Sequence, residues 1–200
     1  MINITDINTK EEPYSSFFKV YKKALSSNQK SIEAICISSL NKTSNEVESR
    51  MVNLKYITND EWIFFTNYNS EKAKNFKYHS QVSALFFWES INAQIRIKAT
   101  IRKSPIEISD KHFAIRSKDK NALAYISCQS KKITSLSSLE QKHKQLLKQK
   151  DLTIIRPDYW GGYSFTPYYF EFWHGHDARL NRREVYEFSE GKWENYFLQP

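Results

Sequence analysis

The stretch AQIRIKATIRK (93–103) constrains the fold more than any other part of the chain. Ile95, Ile97 and Ile101 fall on alternate positions with Ala99 among them, and charged or polar residues occupy the positions in between. Alternation with a period of two predicts a β-strand that buries one face and leaves the other in water. Because antiparallel sheets commonly have one solvated side, we expect an antiparallel sheet here.

Further strands are expected on both sides of a central helical block. The predicted strands are 31–40, 50–57, 61–68, 81–89, 93–103 and several in the last third, including a hairpin of 183–188 with 192–198. The predicted helices are 13–29, 70–80 with Ser70 as N-cap, and most of 106–150. A Gly-rich phosphate loop and the β–α alternation of classical nucleotide folds are both missing. A mainly β chain, folded as an antiparallel barrel with appended helices, fits this order best.

The composition predicts one domain over 1–200, because no repeat or linker-like stretch divides the 200 residues; residues 1–12 are expected to be mobile. No run approaches the roughly 18 apolar residues of a membrane span, and the N-terminus lacks the layout of a secretory signal. Cys36 and Cys128 lie far apart and match no zinc spacing, which is typical of a reducing compartment. We therefore expect a cytoplasmic protein that does not bind membranes.

The net charge of +8 favours an anionic partner, which could be nucleic acid, anionic lipid or a phosphorylated small molecule. The densest basic run, 140–150, reads as the solvated face of a helix rather than as a nucleic-acid contact. No nucleic-acid partner is expected from this run, and the charge alone does not choose among the anionic classes.

Two groups of cationic residues on predicted elements could each hold a phosphate. Arg50 and Lys55 flank one strand, and Lys72 lies in the first turns of the next helix, whose free N–H groups and dipole favour anions. The second group is expected on one helix face, at positions i, i+4 and i+8: His112, Arg116 and Lys120. For both groups the alternative is an ordinary solvated surface.

The segment WHGHD places His174 and His176 two residues apart with Asp177 beside them. Such a pair with a carboxylate can bind zinc or iron. However, Gly175 and its polar neighbours favour a turn, and no second His or Cys cluster complements the pair. We expect a solvated turn and no metal, with a metal site as the alternative.

Four segments together resemble the pyridoxamine 5′-phosphate oxidases: the hairpin SRMVNLKYI…EWIFFTNYNSEKA, the strand AQIRIKATIRK, the segment AYISCQS, and the tail WGGYSFTPYYFEFW…RLNRREVYE…LQP. They follow the order and spacing of that family over roughly residues 15–200. The resemblance implies an antiparallel FMN-binding split β-barrel with appended helices, assembled as a homodimer with FMN at the subunit interface. It also implies a step of pyridoxal phosphate biosynthesis, in which pyridoxamine or pyridoxine 5′-phosphate is oxidised to pyridoxal 5′-phosphate and O2 is reduced to H2O2.

The same resemblance implies the site residues position by position. The implied FMN site comprises Arg50, Met51, Val52, Asn53, Leu54, Lys55, Phe65, Thr66, Lys72, Gln94, Gln129, Ser130, Trp173 and Arg183. The implied substrate site comprises Lys55, His112, Arg116, Lys120, Arg179 and Asn181. Arg179 would lie over the reacting face as the catalytic residue.

The chain departs from the family pattern mainly at the substrate positions. His112 and Lys120 stand where the family has a tyrosine and a serine, and Asn181 replaces the histidine of R-L-H-x-R. Glu71 also replaces a cation that precedes Lys72. Two alternatives therefore stay open. One is a related FMN-dependent oxidase of the phenazine-biosynthesis type, acting on a different ring substrate, and the other is a flavin-binding protein without turnover.

Overall fold

The computed structural model describes residues 1–5, 11–149 and 153–200. The strands of this part are β1 (Asn3–Thr5), β2 (Ala34–Asn41), β3 (Glu46–Thr58), β4 (Glu61–Asn67), β5 (Gln81–Trp88), β6 (Ala93–Lys103), β7 (Trp160–His174), β8 (Arg182–Ser189) and β9 (Lys192–Leu198). The helices are α1 (Tyr14–Ser26), α2 (Glu71–Tyr78), α3 (Ile106–Ile115), α4 (Lys118–Ile126) and α5 (Leu136–Lys148), with a 3₁₀ turn at Glu89–Ile91. None of these helices is both long and apolar enough to cross a membrane.

Six strands close into a barrel. Around the ring, β3 pairs with β2, β2 with β5, β5 with β6, β6 with β7, β7 with β4, and β4 again with β3. All six pairings are antiparallel. The hairpin of β8 and β9 extends the sheet from β7, and β1 adds a short parallel strand beside β3. The mainly β class with a helical block is as predicted, and β1 is an additional strand.

Strand β7 belongs to both the barrel and the C-terminal hairpin. Its first part, 160–165, pairs with β4, and its last part, 169–174, pairs with β8 along the same edge. The register with β6 shifts between Lys98 and Ala99, opposite Pro167. Proline has no N–H to donate to a ladder, and the shift marks a bulge that bends the strand. The bend allows β7 to leave the barrel and carry the hairpin.

The alternation in 93–103 has the predicted effect. Ile95, Ile97 and Ala99 are fully buried, while the residues between them lie on an exposed face. Helix α1 covers the same core, because Phe17 is buried with its ring centroid 4.5 Å from that of Trp62. Burying a side chain of this size stabilises the fold by about 2 kcal/mol.

The predicted single helix face of His112, Arg116 and Lys120 is wrong. Helix α3 ends at Ile115, and the backbone of Arg116 is extended, with φ −78° and ψ 146°, before α4 begins. The Asn121 side chain donates to Phe113 O (2.9 Å). Phe113 lies in the last turn of α3, where a carbonyl has no i+4 partner within the helix, so Asn121 takes the place of the next turn. The helical spacing therefore crosses a break between two short helices.

The N-terminal segment 1–12 also differs from the expectation of a mobile tail. Asn3–Thr5 forms β1, in register with Tyr56, Ile57 and Thr58 of β3. The part of the prediction that covers residues 6–10 lies outside the described residues.

Candidate active site

A cavity of about 610 Å³ opens between β3, β4 and the helical block. Its volume is in the range of small-molecule sites. It contains eight residues of the predicted FMN site: Met51, Val52, Asn53, Lys55, Phe65, Thr66, Lys72 and Gln129. It also contains the predicted substrate residues Lys55, His112, Arg116 and Lys120. The structure thus brings together residues from four separate segments of the chain.

A larger cavity of about 900 Å³ lies nearby, next to Tyr68, Phe76 and Tyr163. Of the predicted site residues in the described part of the chain, this cavity contains only Gln129. We therefore place the candidate site in the smaller cavity, where the charged residues converge.

Lys72 lies at one end of the candidate site, and a second cation, Arg50, neighbours it from outside the cavity lining. Burial, and then the charge of Arg50, lower the pKa of the Lys72 ammonium group. Lys72 Nζ lies 3.3 Å from Thr66 Oγ1, and no carboxylate among the described residues lies within ion-pair distance of it. A bound anion would relieve the repulsion between the two cations, so this end is suited to a phosphate.

The start of α2 leaves Lys72 without an acidic partner. Ser70 occupies the predicted N-cap position, but its hydroxyl donates to Asn67 O (2.7 Å) instead of accepting from a helix N–H. Glu71 pairs with Lys74 at 2.8 Å, one turn further along the helix. The acidic residue that replaces a family cation is therefore neutralised by another lysine.

Arg50 is held by a polar network that the sequence did not reveal. Its Nη2 donates to Glu48 Oε2 (2.8 Å) and its Nη1 to Ser39 Oγ (2.8 Å). Asn75, which is buried in α2, donates to the same Glu48 oxygen at 3.1 Å. The spacing of Glu48 and Arg50 on one strand is the one sequence signal for this contact, because residues two apart share a face. The network fixes the guanidinium group before any ligand binds.

The wall of the cavity is a stack of flat rings. The His112 and Phe65 rings are nearly parallel with centroids 3.9 Å apart, and Phe65 stacks on Trp160 at 5.4 Å. The Arg116 guanidinium lies over the Trp160 ring at 4.8 Å. Trp160 belongs to the WGG segment, but no role for it was predicted from the sequence. The stack provides a surface that suits a planar ring.

His112 is neutral at pH 7. Burial, and then the charges of Arg116 and Lys55, lower the pKa of its imidazole to about 4. Tyr56 Oη lies 2.8 Å from His112 Nδ1, so the two side chains share a hydrogen bond. A neutral imidazole still offers one donor and one acceptor. His112 can therefore hydrogen-bond an anion but adds no charge to the cavity.

The lowered pKa of His112 predicts that the fold is destabilised by acid. In the unfolded chain this histidine takes up a proton near pH 6.5, whereas in the folded chain it does so only near pH 4. The unfolded state thus binds more protons in that window, and the free energy of unfolding decreases as the pH falls, by roughly 2 kcal/mol at pH 4.5.

His112→Phe keeps the stack and removes the titration. Urea unfolding at pH 7 and pH 4.5 should show a smaller loss of stability in His112→Phe than in the wild type. Equal losses in the two proteins would contradict a depressed histidine pKa at this position.

Arg116 and Lys120 reach the cavity although no common helix carries them. Arg116 Nη1 donates to Lys120 O (3.0 Å) across the break between α3 and α4. With Lys55 they form three cations around the stacked rings, which we call the substrate-side cations (Lys55, Arg116 and Lys120). The arrangement of these cations depends on the break between α3 and α4, because the extended backbone at Arg116 brings its side chain close to Lys120 in α4.

Besides Arg50, two predicted FMN residues near the cavity do not line it with a side chain. Leu54 is fully buried in the core, so only its backbone could meet a ligand. Ser130 is exposed just beyond the cavity, with a φ of 70°. Gln129, by contrast, accepts hydrogen bonds from Thr66 Oγ1 (3.1 Å) and Asn67 N (3.3 Å).

Three predicted FMN residues lie at the opposite end of β7, and we call them the distal row (Gln94, Trp173 and Arg183). Gln94 pairs with Trp173 and Trp173 with Arg183, on adjacent strands. Phe65 in the cavity pairs with Gly162, eleven residues before Trp173. At about 3.3 Å per residue this separation is roughly 36 Å of strand. One chain therefore places the two parts of the predicted FMN site at the two ends of β7.

His174 is the last residue of β7 and is partly buried, whereas His176 is exposed and begins the predicted turn. Arg179 N donates to His176 O (2.8 Å), and His176 N donates to Asn181 Oδ1 (3.0 Å). Arg179 has a φ of 62°, an uncommon conformation for a residue other than glycine. No group of three or more His, Cys, Asp or Glu side chains with the geometry of a metal site occurs in the described ranges. The Arg179 side chain is exposed, whereas the side-chain oxygen of Asn181 points into the turn, towards His176 N.

Two family models match the chain. The model described as pyridoxamine 5′-phosphate oxidase matches residues 22–150, and the one described as pyridoxine 5′-phosphate oxidase C-terminal dimerisation region matches 160–200. A pyridoxine/pyridoxamine 5′-phosphate oxidase of Hydrogenovibrio crunogenus is 35% identical, over 88% of this chain and 81% of the relative. One from Haemophilus influenzae is also 35% identical, over 95% of this chain and 90% of the relative.

Solved structures share the fold. PhzG from Burkholderia lata, in complex with tetrahydrophenazine-1-carboxylic acid, superimposes with a TM-score of 0.89 at 25% identity, over 94% of this chain and 93% of PhzG. A pyridoxamine 5′-phosphate oxidase-related, FMN binding protein from Nostoc punctiforme gives a TM-score of 0.75 at 10% identity, over 95% and 99% of the two chains.

Proposed function

The chain belongs to the pyridoxamine 5′-phosphate oxidase family and is an oxidoreductase of that type, and we propose that it binds FMN and oxidises pyridoxamine or pyridoxine 5′-phosphate to pyridoxal 5′-phosphate. Its architecture is the split barrel that the motifs implied. The assignments of family, fold class and enzyme class from the sequence are thereby confirmed, while the cofactor and the substrate are our proposals.

The observation that carries the proposal is the presence of two cation groups around one ring-lined site. Lys72 lies at one end with Arg50 beside it, just outside the cavity lining, and the substrate-side cations lie around the stacked rings. FMN and a phosphorylated vitamer each combine one phosphate with one flat ring. Arginine and lysine are the side chains that bind such phosphates, so the residues present fit both molecules.

In this proposal Arg50 and Lys72 hold the FMN phosphate, and Gln129 and the backbone of β3 lie along the cofactor. When bound, the flavin would supply the redox chemistry, taking a hydride equivalent from the substrate and passing the electrons to O2 as H2O2; with pyridoxamine 5′-phosphate, water would then supply the aldehyde oxygen and the nitrogen would leave as ammonia. The substrate-side cations hold the substrate phosphate, and His112 contributes a neutral hydrogen-bonding group there. Arg179 positions the ring of the substrate for the transfer.

A second copy of the chain completes the site in our proposal. The distal row lies too far along β7 to reach the cavity of its own chain. A two-fold dimer could place the distal row and Arg179 of one copy against the cavity of the other. Because a two-fold interface is the same on both subunits, the dimer would contain two such sites. The match of 160–200 to a dimerisation region supports this arrangement.

The test is an anaerobic reduction. Flavin-loaded protein mixed with pyridoxamine 5′-phosphate should lose its yellow absorbance, and air should restore it with the release of H2O2. A protein that takes up no FMN would remove the cofactor from the proposal. A protein that binds FMN but is not bleached would instead be a flavin-binding protein without this turnover.

Arg116→Ala tests the substrate phosphate site. We expect kcat/KM for pyridoxamine 5′-phosphate to fall about 20-fold, because one of three cations is lost, and the low value for unphosphorylated pyridoxamine to stay unchanged. Lys118→Ala is the matched control, because Lys118 Nζ donates to Gln149 O (3.0 Å) and lies outside the cavity lining. An equal fall for both substrates would remove Arg116 from the phosphate site.

A second candidate substrate is a carboxylated ring, as in phenazine biosynthesis. The similarity to PhzG, which was solved in complex with tetrahydrophenazine-1-carboxylic acid, favours it, and Asn181 stands where the family pattern has a histidine. The same cations could bind a carboxylate. Faster flavin bleaching by tetrahydrophenazine-1-carboxylic acid than by pyridoxamine 5′-phosphate would support this candidate over the first.

A further inference from the structure

A buried carboxylate lies on the outer face of the sheet beside the distal row. The Glu171 side chain is only 1% exposed, although its strand neighbour on that face, Arg96, is 48% exposed. Arg96 Nη1 donates to Glu171 Oε2 (2.8 Å), and Arg183 Nε donates to Oε1 (2.8 Å). Tyr169 Oη adds a hydrogen bond of 3.2 Å. One carboxylate thus links β6, β7 and β8.

The carboxylate remains charged despite its burial. Burial alone would raise the pKa of Glu171, but the hydrogen bond from Arg183 and the charges of Arg96 and Arg183 outweigh it, so the pKa is lowered. A buried carboxylate without such partners would be strongly destabilising. The two arginines therefore keep Glu171 charged and in place, and Glu171 in turn fixes the positions of their guanidinium groups.

Arg183 is fixed through two of its three guanidinium nitrogens. Nε donates to Glu171 Oε1 (2.8 Å), and Nη1 donates to the backbone oxygen of Gln199 (3.1 Å). Nη2 has no hydrogen-bond partner among the described residues. The side chain is 25% exposed, and its backbone is in register with Trp173. The Nη2 group is thus free to meet a ligand beside the Trp173 position.

We propose that Glu171 is a positioning residue of the flavin site, which sets the guanidinium of Arg183 so that its free Nη2 group is directed at the FMN bound mainly by a second copy of the chain. This inference rests on the proposed FMN site at the dimer interface. Glu171 itself does not touch the cofactor and acts through Arg183.

The test measures FMN affinity by titrating flavin-free dimer and following the quenching of flavin fluorescence. Glu171→Gln keeps the shape of the side chain and removes its charge, and we expect about a tenfold weaker Kd. Arg183→Gln should weaken binding by a similar factor. The double variant should be no weaker than Arg183→Gln alone, because Glu171 would act only through that arginine.

Arg96→Gln is the matched control. Arg96 pairs with the same carboxylate but lies outside the distal row, so its loss reports the structural part of the network. We expect Arg96→Gln to lower the melting temperature as Glu171→Gln does, with an FMN Kd within twofold of the wild type.

The outcomes separate two failures. A normal Kd in Glu171→Gln together with a weakened Kd in Arg183→Gln would overturn the positioning role alone. Normal Kd values in both would remove Arg183 from the cofactor site and contradict the proposed interface. Strictly additive losses in the double variant would also overturn positioning. If Glu171→Gln does not fold, Glu171→Asp, which keeps the charge but shortens its reach to Arg183, goes through the same cycle with the same criteria.

Discussion

Replacing Arg179 by alanine should lower kcat about 100-fold and leave FMN bound. Arg179 is exposed at the tip of the turn after β7, in a left-handed conformation held by its hydrogen bond to His176 O. Residues in such uncommon conformations persist where surrounding contacts fix them, and they cluster at functional sites. Removing one positioned charge near reacting atoms costs about 10²–10³ in kcat in other enzymes. Steady-state kinetics and the flavin spectrum of the purified variant measure the two effects separately.

Arg182→Ala is the control for Arg179→Ala. Arg182 is a neighbouring arginine, paired with Glu184 at 2.8 Å, so its loss removes the same charge from the same region. We expect turnover within a few-fold of the wild type. An unchanged kcat in Arg179→Ala would exclude Arg179 from the active site, and loss of the flavin would assign it to the cofactor instead.

Replacing Lys72 by methionine should weaken FMN binding about 100-fold, so that the protein is purified nearly colourless. Lys72 is half-buried beside Arg50, and its pKa is lowered for that reason. A charge-assisted contact to a phosphate is worth roughly 1.5–3 kcal/mol, and 2.7 kcal/mol corresponds to a 100-fold change in Kd. Methionine keeps most of the length and the apolar part of the side chain, so the cavity shape changes little.

Lys74→Met is the control for Lys72→Met, because Lys74 lies on the same helix but pairs with Glu71 and does not line the candidate cavity. Its FMN Kd should stay within twofold of the wild type. If both variants retain FMN, the anion site at the start of α2 is wrong. If both lose it, the effect comes from the overall charge of α2 rather than from a contact of Lys72.

The fold could be predicted where a periodic sequence pattern coincided with an element that has one face in the core and the other in solvent. The segment 93–103 alternates because one of its faces is the core and the other is solvent, and the structure agrees residue by residue. The break at Arg116 was not predictable from spacing, because the residues on both sides of it favour helix. The signal that could have shown it is Ser117, an N-cap residue type within an apparently continuous helix.

The residues proposed for the site could be named from the sequence, but their arrangement in space could not. The family motifs named the residues of β3 and β4 that line the cavity. The contacts of Trp160, of Tyr56 and of the partners of Arg50 could be identified only in the three-dimensional structure. The separation of the distal row from the cavity follows from strand register. Register depends on pairings between distant segments, and no local pattern records it.

The separation of the cavity from the distal row along β7 has a consequence for how two mutant copies of the gene would behave together. In the proposed dimer each site combines Lys72 of one copy with Arg179 of the other, so a mixed dimer of Lys72→Met and Arg179→Ala subunits would carry both defects in one site and neither in the other. Random exchange of subunits between the two inactive proteins would then restore about a quarter of the wild-type number of active sites. Two damaged copies of the gene could therefore complement each other in one cell, although each copy alone would fail.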